Sequence, residues 1–396
     1  MEMAELRALL TSEGLRLLDE VGTIESTGDA ASAVSRLRAA GHPPELVSAV
    51  VTQARLRTRA RAKFGDFAAR MLFTRAGLEQ ATRLGIAARH AGRFRDAGCT
   101  HVADLGCGIG GDSLGLAALG LNVTAVDADE VTAAVAAYNL APFGADVRVR
   151  QGLAEQTPLE GVDAVWLDPA RRSAGHGETV RLCAADYTPP LDWAFELATR
   201  IPSGIKLGPA FERADIPADA EAQWISVDGS TVELVLWSGT LARPGVRRAA
   251  LVIRGDDAHE LTAGADAEDA PTRELGEFLH EPEGAVIRAR LIGDVARSLE
   301  AGMLDPKIAY LTSDTAVTSP FVQSFRIREE VPFDVKKLAR ALRERGIGRL
   351  EIKKRGVDVD PAALRTRLKL AGDGAATLIL TRVAGRHRAL LADRVG

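Results

Sequence analysis

The segment HVADLGCGIGG at 101–111 ends an apolar run in a glycine cluster, and the next apolar run, TAVD, closes on Asp127. Glycines cluster where a ligand must approach the backbone and where φ must be positive. A helix starting just behind them turns its free N–H groups towards a polar ligand. Asp127, ending the second strand, is placed to accept hydrogen bonds from two ribose hydroxyls, so the whole reads as a nucleoside-binding βαβ unit. Gly106, Gly108 and Gly111 also satisfy G-x-G-x-x-G, which brings a dinucleotide site into consideration. Asp104 argues against it. Two residues ahead of the first glycine, its carboxylate suits a cationic amino group and would repel a pyrophosphate.

A second constellation, Asp168-Pro169-Ala170-Arg171-Arg172, follows a later apolar run. Together with the D-x-G-x-G order it resembles the class I S-adenosylmethionine-dependent methyltransferases. The resemblance implies that Asp104 holds the amino group of S-adenosyl-L-methionine, that the backbone at Gly106 and Gly108 faces its carboxylate and sugar, and that Asp127 grips the ribose diol. It places the adenine beside Gly152, Leu153 and Ala154. Many relatives carry an acidic residue where Leu153 stands; here the Ala154 N–H is left as a donor and Leu153 as a surface to pack on.

Asp168 and Pro169 would overhang the transferable methyl. Relatives that methylate exocyclic or amide nitrogens carry [D/N/S]-P-P-[aromatic] at this point, whereas here Ala170 replaces the second proline and Arg171 the aromatic. Arginine stacks on a base or holds a phosphate, so N-methylation is the expected chemistry, with Asp168, Pro169 and Arg171 as its residues. The competing expectation pairs Arg171 and Arg172 with local carboxylates. Methyl transfer from a sulfonium is an in-line displacement governed by alignment. Asp168 is therefore expected to orient the nucleophile or take its proton late. Tyr187, Trp193, Lys206 and Pro209 border the expected cleft, the two aromatics being equally compatible with a core role.

These residues need elements to carry them. Residues 1–95 read as a helical region, with helices predicted over 5–21, 29–40, 44–69 and 76–94. Arg55, Arg57, Arg59, Arg61 and Lys63 wrap around the third of these rather than forming a stripe, which suits a solvated helix and the wall of a nucleic-acid groove equally. Residues 96–254 alternate strands (101–105, 122–126, 146–150, 162–167, 204–207) with helices, predicting a parallel sheet covered on both faces. Two more strands at 222–227 and 231–237, joined by Asp228-Gly229, predict an antiparallel hairpin. The acidic stretch 255–275 reads as a linker. Residues 276–396 read as a second α/β domain, with helices at 284–301, 334–345 and 361–370 and strands at 307–312, 323–329, 349–354, 375–383 and 386–393.

Composition narrows the setting. At 46% hydrophobic and 26% charged, the chain has the balance of a soluble globular protein. Its net charge of −4 hides an asymmetry: residues 333–396 carry 16 Lys and Arg against 7 Asp and Glu, a surplus of +9. A basic end on an acidic body favours a polyanionic partner over a merely solvated, arginine-rich surface. Cys99, Cys107 and Cys183 show no C-x-x-C spacing and the seven histidines no ligand spacing, so neither disulfides nor a metal is expected, and a reducing cytoplasm is the natural compartment. There is no leader-like start and no apolar run of membrane-spanning length.

Four segments together go beyond the generic fold: 63–94 (KFGDFAARMLFTRAGLEQATRLGIAARHAGRF), 102–113 (VADLGCGIGGDS), 167–172 (LDPARR) and 349–372 (RLEIKKRGVDVDPAALRTRLKLAG). They resemble a bacterial family of class I methyltransferases with a C-terminal THUMP-like domain, whose catalytic half is similar to the trimethylguanosine synthase group. The resemblance implies a Rossmann-like seven-stranded methyltransferase domain between a helical N-terminal region and an α/β THUMP-like domain at 276–396. It also makes Phe73 and Thr74 candidates for contacts to cofactor or acceptor. It implies an RNA partner, structured as tRNA or rRNA is. The residues are compatible: Lys336, Lys337 and Arg340 lie on one helix, with Arg343 and Arg345 beyond, Lys353 and Arg355 share a strand face, and Arg365, Arg367 and Lys369 follow. Such cations contact phosphate and position without reading sequence. With few aromatics beside them, recognition by shape is expected. The rival expectations are an RNA-binding protein that keeps the fold without turnover, and a methyltransferase of a protein or small molecule.

Overall fold

The computed structural model describes residues 1–171 and 187–395. The chain divides into two compact units, residues 1–207 with 236–242, and residues 208–235 with 243–396.

The first unit opens with helices α1 (Met3–Leu9), α2 (Ser12–Val21), α3 (Thr27–Ala39), α4 (Pro44–Phe64), α5 (Arg75–Gln80) and α6 (Leu84–Asp96). The helix predicted over 5–21 is in fact two. Thr11 caps α2 by accepting from the Gly14 N–H, and Gly14 sits so close to the end of α1 that a Cβ would lie 2.5 Å from the Leu9 carbonyl oxygen. The helix predicted over 44–69 stops at Phe64, where Gly65 takes φ +54 and a 3-10 segment begins. The one predicted over 76–94 breaks at 81–83. There the Lys63 ammonium donates to the carbonyls of Leu78, Glu79 and Ala81 at 2.7–2.8 Å, satisfying the end of α5.

Next come β1 (His101–Leu105), α7 (Gly111–Ala118), β2 (Asn122–Asp127), α8 (Glu130–Leu140), β3 (Val147–Gln151), β4 (Ala164–Leu167), β5 (Ala170–Arg171), β6 (Tyr187–Thr188), α9 (Leu191–Ala198) and β7 (Ser203–Leu207). β1 pairs with β2 and β4, β2 with β3, and β4 with β7, all parallel. β1, β4 and β7 are buried almost end to end, as strands covered on both faces are. Connections leave β1 in opposite directions across the sheet, so the crevice beyond the carboxyl ends of β1 and β4 is where such a sheet binds ligands. Beneath it, Trp166, Trp237, Phe94 and His90 pack ring on ring, with Trp166 and Trp237 centroids 5.8 Å apart. Gly204 is required between the two indoles, since a Cβ there would lie 2.7 Å from both.

The second unit contains β8 (Glu221–Val227), β9 (Ser230–Trp237, its last two residues belonging to the first unit), β10 (Arg248–Arg254) and β11 (Asp257–Ala263). Asp228 and Gly229 join β8 to β9 with φ +48 and +81, the two positive values of a type I′ hairpin. β10 runs parallel to β8, and β11 antiparallel to β10. So the stretch 255–275, expected as a linker, contains a strand. β11 is an edge strand with no fully buried residue, paired through its backbone rather than through an apolar face.

Then follow β12 (Phe278–Pro282), α10 (Gly284–Arg288), α11 (Ile292–Ser298), β13 (Gly302–Asp305), β14 (Ile308–Ser313), β15 (Val322–Val331), α12 (Val335–Glu344), β16 (Ile347–Lys354), α13 (Pro361–Leu368), β17 (Gly374–Val383) and β18 (Arg386–Val395). The sheet order is β13-β14-β12-β15-β18-β17-β16. The single helix predicted over 284–301 is broken between α10 and α11, where Arg290 takes φ +59. Asp334 and Asp360 cap α12 and α13, whose leucines (Leu338, Leu342, Leu364, Leu368) pack on Leu350, Leu378 and Leu391 of the sheet.

Candidate active site

At the end of β2, the Asp127 carboxylate is held by two backbone donors: Gly108 N–H to Oδ2 at 3.0 Å and Asp129 N–H to Oδ1 at 2.9 Å. Its own carbonyl accepts from the Gly152 N–H at 2.9 Å, tying the ends of β2 and β3 together. Burial raises the Asp127 pKa, and the two N–H groups oppose that rise. Gly106 turns the chain with φ +95 and donates to the Val126 carbonyl; a Cβ on it would come within 3.2 Å of the Asp168 carbonyl oxygen. The predicted residues Asp104, Gly106, Gly108, Asp127, Gly152 and Asp168, scattered over 65 positions of sequence, thus meet at one end of the sheet.

Asp104 lies under the glycine turn with 1% of its surface exposed. Its Oδ2 accepts from the Ser113 hydroxyl at 2.5 Å, while Oδ1 has no hydrogen-bond partner among the described residues. Burial, reinforced by the neighbouring Asp112 carboxylate, pushes its pKa up to about 8. An unmatched buried carboxylate oxygen is a place prepared for a cation. Leu153, 45% exposed, is one of few large apolar side chains left in solvent, and Ala154 beside it is buried. The three features fit the amino, ribose and base portions of an aminoacyl nucleoside such as S-adenosylmethionine.

Asp104 also makes a stability prediction. Its folded pKa stands above its unfolded value, so its contribution is full below about pH 4 and is lost as pH rises through about 8. Asp104→Asn should therefore raise the melting temperature of the ligand-free protein at pH 8 more than at pH 5, while weakening S-adenosylhomocysteine binding. Calorimetric melts at the two pH values would check this.

Asp168, one-third exposed, follows β4, and Pro169 is buried. Ala170 and Arg171 form β5, which pairs with Tyr187 and Thr188 of β6. The Arg171 side chain, Arg172 and Cys183 lie outside what the structure describes. Lys206, at the end of β7, reaches Asp168 Oδ2 at 2.6 Å, the Thr82 hydroxyl at 2.9 Å and Asp112 Oδ2 at 3.9 Å. Thr82 donates to Asp112 at 2.7 Å, and His90 Nδ1 lies 2.9 Å from the other Asp112 oxygen. Burial opposes ionisation of Asp112, but the His90 hydrogen bond and Lys206 outweigh it and hold its pKa low.

Sequence reasoning did not give Thr82, His90, Asp112 and Ser113 a role. Asp112 and Ser113 stand inside the glycine motif, and that adjacency was their signal. Thr82 and His90 had none. Two expected contacts look different in the structure. Phe73 has no exposed surface and packs on Phe64 at 5.7 Å, while Thr74 caps α5. The segment they belong to is fastened instead by Asn139, which bonds Leu72 on both backbone groups and also the Ile109 carbonyl of the glycine turn. Tyr187 is buried and Trp193 partly so. Of the arginines around α4, Arg57 is bonded to the Met71 carbonyl and Asp19.

The basic residues of the second unit divide in two. Lys336 and Lys337 are exposed on the first turn of α12 and, with Arg365, Arg367 and Lys369, have no ion-pair partner among the described residues. Arg340 pairs with Glu344. Lys353 and Arg355 are held by Glu281 at 2.5 and 3.7 Å and lie over the rings of Phe325 and Tyr310.

Residues 102–184 match a methyltransferase domain model, residues 322–394 a THUMP domain-like model, and residues 2–60 a domain of unknown function (DUF8688). Proteins of two Mycobacterium tuberculosis strains, CDC 1551 / Oshkosh and ATCC 25618 / H37Rv, each described as an S-adenosylmethionine-dependent methyltransferase, are 33% identical to the chain over 337 residues, 83% of this chain and 90% of theirs. A crystal structure of a methyltransferase-fold protein from Porphyromonas gingivalis W83 superposes with TM-score 0.74 over 100% of this chain and 99% of that one, at 24% identity, a likeness of fold.

Proposed function

We propose that this chain, which belongs to the S-adenosylmethionine-dependent methyltransferase family, methylates a base nitrogen of a structured RNA in the cytoplasm. The Asp168-Pro169 corner, at the same end of the sheet as Asp104 and Asp127, carries the choice of nitrogen. The THUMP-like match and the exposed lysines of α12 support RNA.

S-adenosylmethionine supplies a methyl carbon activated by its sulfonium; on transfer the S–C electron pair stays on sulfur, leaving S-adenosylhomocysteine. Asp104 would hold the cofactor's amino group, Asp127 its ribose, and Leu153 with the Ala154 N–H its adenine. Asp168 and the Pro169 carbonyl would accept hydrogen bonds from the acceptor's N–H groups, turning the nitrogen lone pair towards the methyl. Alignment of this kind supplies most of the acceleration in such a displacement.

Labelled methyl should pass to RNA extracted from cells lacking the gene. Asp168→Ala should slow the transfer by about 100-fold or more, with S-adenosylhomocysteine affinity retained on calorimetry. Absence of label in every RNA fraction would refute an RNA substrate.

A further inference from the structure

We infer that Lys206 is a positioning residue for methyl transfer, holding one oxygen of the Asp168 carboxylate so that the exposed part of that carboxylate is presented to the acceptor nitrogen. This rests on the role proposed above for Asp168.

Register brings the two together. Leu167 pairs with Ile205 across β4 and β7, so the residues that follow, Asp168 and Lys206, are neighbours at the strand ends. The Lys206 side chain is nearly buried, at 10% exposure, against 32% for that of Asp168. A lysine in that setting is costly unless its donors are matched, and among the described residues three oxygens lie near it. The distances rank them: Asp168 at 2.6 Å is a direct ion pair, Thr82 at 2.9 Å a hydrogen bond, and Asp112 at 3.9 Å a longer-range attraction.

Thr82 and Asp112 are themselves fixed from behind. The Thr82 hydroxyl is spent on Asp112, and Asp112 is bonded to His90, whose ring lies 4.4 Å from that of Trp166. A long, rotamer-rich side chain is thereby ordered by the packed core before any ligand arrives, and it transmits that order to the one carboxylate of the group that faces solvent. Lys63, lodged against the carbonyls of Leu78, Glu79 and Ala81, has its pKa lowered first by burial and then by the positive charge of Lys206.

The pairing also selects chemistry. The Asp168 oxygen that accepts from Lys206 is committed to that ammonium, which suits the pair to orienting an N–H group. A hydroxyl acceptor requires proton removal as transfer proceeds; a nitrogen does not. Its lone pair forms the N–C bond, and the surplus proton, made acidic by methylation, then passes to Asp168 and on to water.

The test compares Lys206→Met, Lys206→Arg, Asp168→Asn and the double variant Lys206→Met/Asp168→Asn, using total RNA and, in parallel, total protein from cells lacking the gene as acceptors. Lys206→Met should lose about 100-fold in kcat with KM and S-adenosylhomocysteine affinity within about threefold of wild type. Lys206→Arg, which keeps the charge, should recover about tenfold of that loss. The double variant should be within about threefold of Asp168→Asn alone, because the two residues act as one unit.

Multiplicative losses in the double variant, or a Lys206→Met defect confined to S-adenosylhomocysteine affinity or melting temperature, would overturn the assignment. If Lys206→Met does not fold, Lys206→Arg decides: an unchanged kcat overturns, and a kcat loss at constant KM supports. Transfer to protein and not to RNA ends the RNA proposal, and the variants are then read on that acceptor. Transfer to neither, by protein that binds S-adenosylhomocysteine, overturns both.

Discussion

Asp127→Ala is expected to lower the affinity for S-adenosylhomocysteine by about 100-fold, roughly 3 kcal/mol, the scale of two hydrogen bonds to a charged group removed together. Two tasks fall to the side chain: the proposed grip on the ribose diol, and the anchoring of the glycine turn through the N–H groups of Gly108 and Asp129. Alanine removes both, leaving those donors unmatched and the turn freer to move. Asp127→Asn separates the tasks: it keeps the shape and one acceptor, so a loss of about tenfold is expected. Isothermal calorimetry on the three proteins would decide, and equal affinities would remove Asp127 from the site. Because Asp127 is distant in role from methyl transfer, bound enzyme at saturating cofactor should retain most of its rate.

Much of the core sheet was legible because its signals are local. The strands predicted at 101–105, 122–126 and 204–207 fall on β1, β2 and β7 to within a residue, since each is a buried apolar run bounded by glycine or an acidic residue. Asp228-Gly229 announced its hairpin for an equally local reason, the cost of positive φ elsewhere. β11 was not legible, because an edge strand with polar residues on both faces has no burial pattern to display. The break between α10 and α11 was hidden by an arginine, a residue that seldom marks positive φ.

The site divides along the same line. Asp104, Gly106, Gly108 and Asp127 could be found because one turn requires them in sequence. Of the network behind Asp168 only Lys206 was placed at the cleft; Thr82, His90 and Asp112 were not, since they come from α7 and from the segments on either side of α6's start, and only the fold makes them neighbours of Lys206. Composition hides such groups: a threonine in a break between helices or a histidine midway along one carries no mark of the carboxylate it will meet. The basic residues of 333–396 show the opposite limit. Their charge was plain in the sequence, but which of them are spent on partners was not.

That division makes the RNA proposal sharp at particular residues. Lys336→Glu/Lys337→Glu should weaken RNA binding by about 30-fold near physiological salt and reduce the slope of log affinity against log salt by about 2, one for each phosphate no longer neutralised. Both side chains stand free on the first turn of α12, whose cap is the Asp334 side chain on their backbone N–H groups, so the helix is left intact. Lys353→Ala and Arg355→Ala should behave differently. These cations already face Glu281 and lie over Phe325 and Tyr310, so their removal strands a half-buried carboxylate and exposes ring surface. Their main effect is expected on the melting temperature, with a smaller change in salt slope. Filter binding of total tRNA and rRNA over a salt series, beside thermal melts, separates the two classes. If the α12 pair leaves the slope unchanged, the +9 surplus of this region is a solvated surface and the RNA must be held elsewhere.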